Sequence, residues 1–528
     1  MDTGTGDRTL DKISPRALTA GLGQGEFFGD APPSFAPVAP GVRRIGIVDV
    51  GSNSVRLVVF EGHCRAPAVV FNEKVMCGLG ARLQDTGALD PEGKARALAA
   101  LRRFSALTAG LNVGALAGVG TAALRDAVDG PAFRNEIEAE TGIRLEIASG
   151  ADEARLAAQG VLFGNPGAEG VVIDLGGASL EFGRIEGGAV TEGLTTPLGP
   201  LRLAAGGRTT SEIDREITRF LDTLRETYGL DGGTLYLVGG SWRALARIEM
   251  LRRQHPVEVI HEFTLERAEA EGLCAWTAAA SREDLEALGG LSSNRIPHLP
   301  LAARLLGHIL RLLDPGRIVA SGFGLREGLC LENLPPQIQA EDPLISACLE
   351  QEKRRARSPG FGAELAEWVE TVLEPLSPRE ARLFCAAAHL ADVNWRTHPD
   401  FRADGCWETV TRTSLTDIGH DGRVFLGAAL VMRYKSRSRK RLEGKPEMAL
   451  LTEAEFDRAE QLGQVLRLGG TIAGHAPGIL PYCRAQLSDT HLTLDFAKPV
   501  RGFTGEEVEK RLALAARALG RDWAIRLG

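Results

Sequence analysis

Cysteine is what this chain lacks in any organised form. The eight cysteines, at 64, 77, 274, 330, 348, 385, 406 and 483, include no CxxC pair and no regular spacing, which argues against a disulfide framework and a zinc ribbon. Most lie in apolar runs such as 383–390, where a free thiol behaves as a small core residue. No apolar run approaches the length of a membrane span, and the N-terminus has neither the charged start nor the apolar core of a signal peptide. The expectation is a cytoplasmic protein with no membrane partner. An excess of positive charge is missing too: a net charge of -8 argues against a generic nucleic-acid binder. The Walker pattern GxxxxGK[ST] is absent, which removes the P-loop enzymes.

What is present is a glycine- and hydroxyl-rich turn that occurs twice, each time behind an apolar strand ending in aspartate. The copies read IGIVDVGSNSVRLVVF (Ile45 to Phe60) and VVIDLGGASLEFGRI (Val171 to Ile185). Aligning Asp49 on Asp174 brings Gly51 onto Gly176, Ser54 onto Ser179 and Arg56 onto Glu181. That is an internal repeat of a β-hairpin. Small residues let backbone N–H groups approach phosphate oxygens, Ser and Asn side chains add donors, and an aspartate at the strand end can hold a metal that neutralises phosphate charge. Two copies imply two loops facing one cleft, whereas a single copy reads equally well as an ordinary tight hairpin.

At 528 residues, 44% of them hydrophobic and 25% charged, the chain is an ordinary soluble sequence too long for one core. Residues 1–40, rich in Gly, Pro, Thr and Asp, read as a flexible tail. Alternating strands and helices then indicate an α/β layer fold, with one hairpin in each of two domains, 41–165 and 166–335. Expected elements include a helix from Pro91 to Ala109, a strand at Ala115 to Gly120, a helix from Ala151 to Gly160 and strands at Leu235 to Gly239 and Arg317 to Ala320. Apolar periodicity from Asp342 onward predicts a helical region, 336–445. Short alternating stretches, LRLGGTIAGHAPG among them, around a helix at Gly505 to Leu519 predict a small α/β appendage, 446–528.

The motif set DVGSNSVRL (Asp49 to Leu57), GTAALRDA (Gly120 to Ala127), SGADEAR (Ser149 to Arg155), DLGGASLEF (Asp174 to Phe182), VGGS (Val238 to Ser241) and SGFGLREG (Ser321 to Gly328) resembles that of the exopolyphosphatase and guanosine pentaphosphate phosphohydrolase family. That family lies within the superfamily of actin, hexokinase and the heat-shock chaperone ATPases. The resemblance implies two ribonuclease H-like (actin-like ATPase) domains, a helical HD-like domain and a small α/β C-terminal domain. It implies removal of terminal phosphate by in-line attack of water, in which positioning and charge neutralisation are the work left to the protein. Carried over by motif, Glu153 is the general base and Arg125 grips the transferring phosphate. Asp49, Asp174 and Glu181 position the metal, expected to be Mg2+, and Ser52, Asn53, Ser54, Gly176, Gly177 and Ser179 supply phosphate donors. The implied ligands are inorganic polyphosphate or guanosine pentaphosphate, and the implied assembly is a homodimer.

Without the resemblance, Asp152 and Glu153 read as acids complementing a helix N-terminus behind a Ser149 cap, and Arg125 as a solvated residue near a Thr121 cap. One departure from the family pattern is Ala178, where a third glycine is usual; its methyl is tolerable if φ there is negative. The stretch AAHLADVNW (Ala387 to Trp395) offers Ala391 before Asp392 in place of the His-Asp pair of HD enzymes, with His389 and His398 nearby, so the HD-like domain is expected to be degenerate. Seven basic residues between Val431 and Lys445, among them Arg433, Lys435 and Arg437, read either as a track for a polyphosphate chain or as a solvated charged loop. Beside the hydrolase stand two other readings, a superfamily kinase with VGGSWRALA lining an adenine pocket and a non-catalytic sensor of polyphosphate or alarmone.

Overall fold

The computed structural model describes residues 44–62, 64–435 and 438–528. The expected tail at 1–40 and the candidate residue Arg437 lie outside them. β1 (Arg44–Val50), β2 (Ser54–Glu61), β3 (Ala68–Met76), β4 (Ala115–Gly120) and β5 (Leu145–Ile147) form one sheet in the order β3-β2-β1-β4-β5. A second sheet holds β6 (Gly170–Leu175), β7 (Leu180–Glu186), β8 (Ala189–Thr196), β9 (Thr234–Val238), β10 (Phe263–Glu266) and β11 (Arg317–Ala320), in the order β10-β11-β9-β6-β7-β8. The series β3-β2-β1-β4-β5 and β8-β7-β6-β9-β11 match: antiparallel across the first three strands, parallel from there on. The duplication therefore runs through five strands, well beyond the hairpins.

β1 and β6 are buried on both faces, as apolar runs in the middle of a layered sheet must be. β3 and β8 close the outer edges and are largely exposed or half-buried, so their polar alternation conceals two strands that the apolar pattern does not announce. The expected helix from Pro91 is the helix Pro91–Gly110, started by Asp90, whose carboxylate accepts from Gly93 N at 2.6 Å with proline at the first turn.

One apolar cluster joins the two sheets: Ile47 and Val58 of the first share it with Val172 and Val319 of the second. The helices Gly150–Gly164 and Leu325–Glu332 run through this junction and touch at glycines. A Cβ at Gly160 would lie 2.2 Å from the Gly324 carbonyl oxygen, and one at Gly328 would lie 2.0 Å from that of Leu156. The junction is pinned from outside by Arg65, whose guanidinium is buried and donates to the carbonyls of Leu162 and Phe163, both at 2.8 Å, satisfying the open end of the first helix.

Beyond residue 336 the chain is helical as expected, but the boundary at 445/446 does not separate two cores. A single cluster takes in Leu365, Val424, Leu462, Leu494 and Leu512. The stretch LRLGGTIAG, read as strand-like, is the end of the helix Glu453–Ala473. Its glycines are packing notches: a Cβ at Gly463 would lie 2.4 Å from the Ala429 carbonyl, and one at Gly469 would meet Leu365 at 2.6 Å. β12 (Cys483–Leu487), β13 (His491–Phe496) and β14 (Asp522–Leu527) form a small sheet beside the helix Glu506–Ala518. Among the described residues no helix is long and apolar enough to cross a membrane.

Candidate active site

Both glycine-rich loops are closed by the same hydrogen bond, Gly51 N to Ser54 O at 3.0 Å and Gly176 N to Ser179 O at 3.1 Å. Each is also fastened to the turn after its sheet's third strand. Gly80 N donates to Ser52 O at 2.8 Å in one copy, and Leu201 N to Gly177 O at 2.9 Å in the other. Ser52, Asn53, Ser54, Gly176 and Gly177 remain open to solvent on the loop crests. Ser179 is buried and its hydroxyl serves the Glu181 carboxyl. Ala178 is not among the residues with positive φ, so the condition for tolerating its methyl is met.

The register carries the side chains outward from each loop in rows. Asp49 pairs with Arg56 and Arg56 with Lys74 across β1, β2 and β3. Asp174 pairs with Glu181 and Glu181 with Thr195 across β6, β7 and β8. Thr195 Oγ1 donates to Glu181 Oε1 at 3.1 Å. Asp49 Oδ2 lies 3.3 Å from Arg326, on the SGFGLREG segment, and Arg243, at the start of the helix Gly240–Arg252, bears electrostatically on Asp174.

Glu153 stands at the head of the helix Gly150–Gly164. The cap reading applies to its neighbour: Ser149 and Asp152 form a reciprocal capping box, which leaves Glu153 to turn inward, 9% exposed. Its carboxylate takes a short hydrogen bond from Arg125 Nη1, which also donates to the Ala148 carbonyl at 3.0 Å. Thr121 makes no side-chain cap. Burial pushes Glu153 up to about 7, against the pull of Arg125 and with the added repulsion of Asp174 and Asp49. Asp174 is pushed up to about 6, by burial first. Glu181 rises well above the usual carboxylate range, through burial and then the charges of Glu153 and Asp174. Buried groups that titrate near neutrality, within reach of the strand-end aspartates that precede the two loops, are equipped for proton transfer beside an anion.

Among the described residues no group of three or more His, Cys, Asp or Glu side chains is placed to hold a metal ion by itself. Asp49, Asp174 and Glu181 therefore do not make a closed three-carboxylate centre. Asp49 and Asp174 end strands of different sheets, and Glu181 is committed to Ser179 and Thr195. The donor set, hydroxyls and carboxylates whose ionised forms are disfavoured first by burial, still suits a hard cation that keeps its waters and completes its shell with phosphate oxygens.

Arg433, Lys435 and Arg439 of the basic run are engaged by partners outside the two glycine-rich loops. Arg433 is 4% exposed and pairs inside the helical region with Asp392 at 3.4 Å, while Lys435 donates to the Asp400 carbonyl at 2.8 Å. Arg439 is neutralised by Glu443, Glu453, Asp457 and Glu460, acids mostly distant in sequence. Asp392 is held by Arg357 at 2.8 and 2.9 Å, and His389 is bound to Glu352. Burial works against the imidazolium of His389, yet Cys385 and Glu352 hold its pKa at about 9. Asp392 and His389 are thus both committed to partners within the helical region.

Two sheets of one topology, paired loops and an inward glutamate meet a matching family model. The Ppx/GppA phosphatase family model covers residues 58–337, and that of the exopolyphosphatase C-terminal region covers residues 344–525. The chain belongs to the Ppx/GppA phosphatase family. It is 25% identical over 307 residues to Exopolyphosphatase 1 of Mycobacterium bovis, covering 55% of this chain and 88% of that protein. It is also 25% identical over 476 residues to the guanosine-5'-triphosphate,3'-diphosphate pyrophosphatase of Vibrio atlanticus, covering 85% and 91%. A crystal structure of an exopolyphosphatase from Cytophaga hutchinsonii superposes with a TM-score of 0.50 at 23% identity, over 55% of this chain and 98% of that one. The fold of the first two sheets is thus that of the Ppx/GppA phosphatases. Lys74, Arg243, Arg295 and Arg326, cations that act on Asp49, Asp174 or one another, were given no role by sequence reasoning, and Arg56 entered only as the counterpart of Glu181 in the repeat. Lys74 lay on an unexpected strand, and Arg243 and Arg326 sat within quoted motifs in which the arginine itself was given no role.

Proposed function

We propose that this phosphatase hydrolyses the terminal phosphoanhydride bond of inorganic polyphosphate, with guanosine pentaphosphate as a second substrate of the same chemistry. The observation that carries the reading is Glu153: a buried carboxylate with a pKa of about 7, bonded to Arg125 and close enough to Asp49 and Asp174, the aspartates before the two loops, to feel their charge. The terminal phosphate sits among the loop N–H groups and the hydroxyls of Ser52 and Ser54. Glu153 takes a proton from the attacking water as its oxygen bonds to phosphorus, and the shortened chain leaves on the opposite side. Arg125 serves the charge of the transferring phosphate and keeps Glu153 from being protonated outright. A divalent cation, expected to be magnesium, would be held by Asp174 and Asp49 with substrate oxygens and water, and supplies neutralisation of the phosphate charge. A homodimer in the cytoplasm belongs to the same reading, by resemblance.

The test is magnesium-dependent phosphate release from long-chain polyphosphate and from guanosine pentaphosphate by wild type and Glu153→Gln. Release is expected to fall about a thousandfold in the variant while tripolyphosphate still binds. Wild-type release is expected to rise with pH through about 7, because the base must lose its proton. Undiminished release by the variant would remove Glu153 from this role. Binding without release by the wild type would favour the sensor, and nucleotide-dependent phosphorylation of an acceptor the kinase.

A further inference from the structure

Resting on the reading above, we infer that Lys74 and Arg295 form a clamp across the cleft that holds the phosphates behind the one being removed, so that they set affinity for the phosphoanhydride chain. Lys74 is the outer member of the row Asp49, Arg56, Lys74. Paired residues on adjacent strands share a face, and two inter-strand spacings carry Lys74 about 10 Å outward from the aspartate that faces the transferring phosphate. That is the direction in which a bound chain must leave the site.

Arg295 comes from the other half of the molecule. Its Nη1 donates to the Gly240 carbonyl at 3.1 Å, and a Cβ on Gly240 would sit 2.9 Å from Nη2, so a glycine at the head of that helix is what admits the guanidinium. Gly240 follows Gly239, where a Cβ would lie 2.7 Å from Asp174 Oδ1. Arg295 therefore stands on the second loop's side of the opening as Lys74 stands on the first's. Each feels the other's charge. Lys74 is exposed on the edge strand, and its pKa is pressed below the usual lysine value by partial desolvation, then by Arg295, Arg56 and Arg326, against the pull of Asp49. Among the described residues, Arg326 alone of these four pairs with a carboxylate at ion-pair distance. Lys74, Arg56, Arg295 and Arg326 outnumber the carboxylates acting on them, Asp49 and Glu327; the cations repel one another, and a multiply charged anion lying between them removes that repulsion. A chain of phosphates matches this spread of charge where a single phosphate does not.

The experiment compares wild type, Lys74→Met, Arg295→Met and the double variant for kcat and KM with tripolyphosphate and with guanosine pentaphosphate. Tripolyphosphate binding to the same proteins is measured by calorimetry. Each single variant is expected to raise KM and Kd about tenfold, as loss of a hydrogen-bonded charge contact does, with kcat within about twofold. Lys74→Arg and Arg295→Lys are expected to restore most of the affinity, and Arg282→Met, on an exposed helix, to change nothing. Unchanged KM and Kd, or a fall confined to kcat, overturns the clamp. Losses shared by both substrates mark the phosphate chain itself as the ligand; a loss confined to one names the source. If the wild type releases no phosphate at all, the hydrolase reading fails while calorimetry still decides the clamp, by weakened or unchanged binding.

Discussion

Asp49, Arg56 and Lys74 occupy the places in the first sheet that Asp174, Glu181 and Thr195 occupy in the second. The backbones of the two loops are closed by one and the same hydrogen bond, at 3.0 and 3.1 Å. The rows behind them carry opposite chemistry. The first is cationic beyond its aspartate and open to the cleft. The second carries Asp174 and Glu181, where burial acts first, Asp174 further raises Glu153, and Glu153 and Asp174 further raise Glu181. The divergence of a single register position, arginine against glutamate, thus separates a cationic row from an acidic one; on the function proposed above, the first serves the anion and the second the proton. Backbone geometry and side-chain charge were free to diverge independently, because in a sheet the loop is fixed by strand pairing while the row is fixed only by which residue points out.

The sharpest way to break this comparison is to make the rows alike. Arg56→Glu places a carboxylate beside Asp49 and is expected to lower kcat/KM for polyphosphate about a hundredfold at low salt, a gap that narrows with added salt because the wild-type value falls more steeply than the variant's. Steady-state kinetics against ionic strength checks it. A second change tests the loops: Gly199 and Gly80 buttress the two copies, but a Cβ at Gly199 would lie 2.1 Å from the Ala178 carbonyl carbon, and one at Gly80 only 3.2 Å from the Ser52 side chain. Gly199→Ala is expected to cost about 2 kcal/mol in denaturant unfolding and Gly80→Ala less than about 0.5 kcal/mol. The smallest effect concerns the proton. Removing a like charge lowers a carboxyl pKa and removing a cation raises it. The Glu153 titration, near 7 in the wild type, is therefore expected to move down in Asp174→Asn and up in Arg125→Met, followed by NMR of 13C-labelled glutamate.

Much of this was legible in the sequence where pattern and chemistry coincide. The repeat announces itself through apolar runs ending in Asp49 and Asp174, and the strands and turns fall where it places them. Glu153 and Asp152 are separable only in three dimensions, since both acids fit a helix start and the capping box takes just one. β3 and β8 escaped because edge strands need no continuous apolar face. The helix Glu453–Ala473 looked strand-like at its end because glycine weakens helices in isolation, whereas here the missing side chains admit Trp368 and the backbone of the helix His420–Tyr434. In the basic run, sequence alone does not display the counter-charges: Asp392 pairs with Arg433, and Asp457 and Glu460 of the helix Glu453–Ala473 pair with Arg439, all from outside the run.

The shared core of the last third of the chain has a consequence for how the protein comes apart. Leu365, Leu462 and Leu494 belong to one apolar cluster, and Trp368 Nε1 donates to the Cys483 carbonyl at 2.7 Å, stitching an early helix to the first strand of the terminal sheet. Peeling that sheet away would bare the underside of the helices, so the helical region and the sheet behave as one cooperative unit that melts together. A protease acting on the native protein would find its cuts in connecting loops, and a chain shortened before the sheet would start life with an open seam.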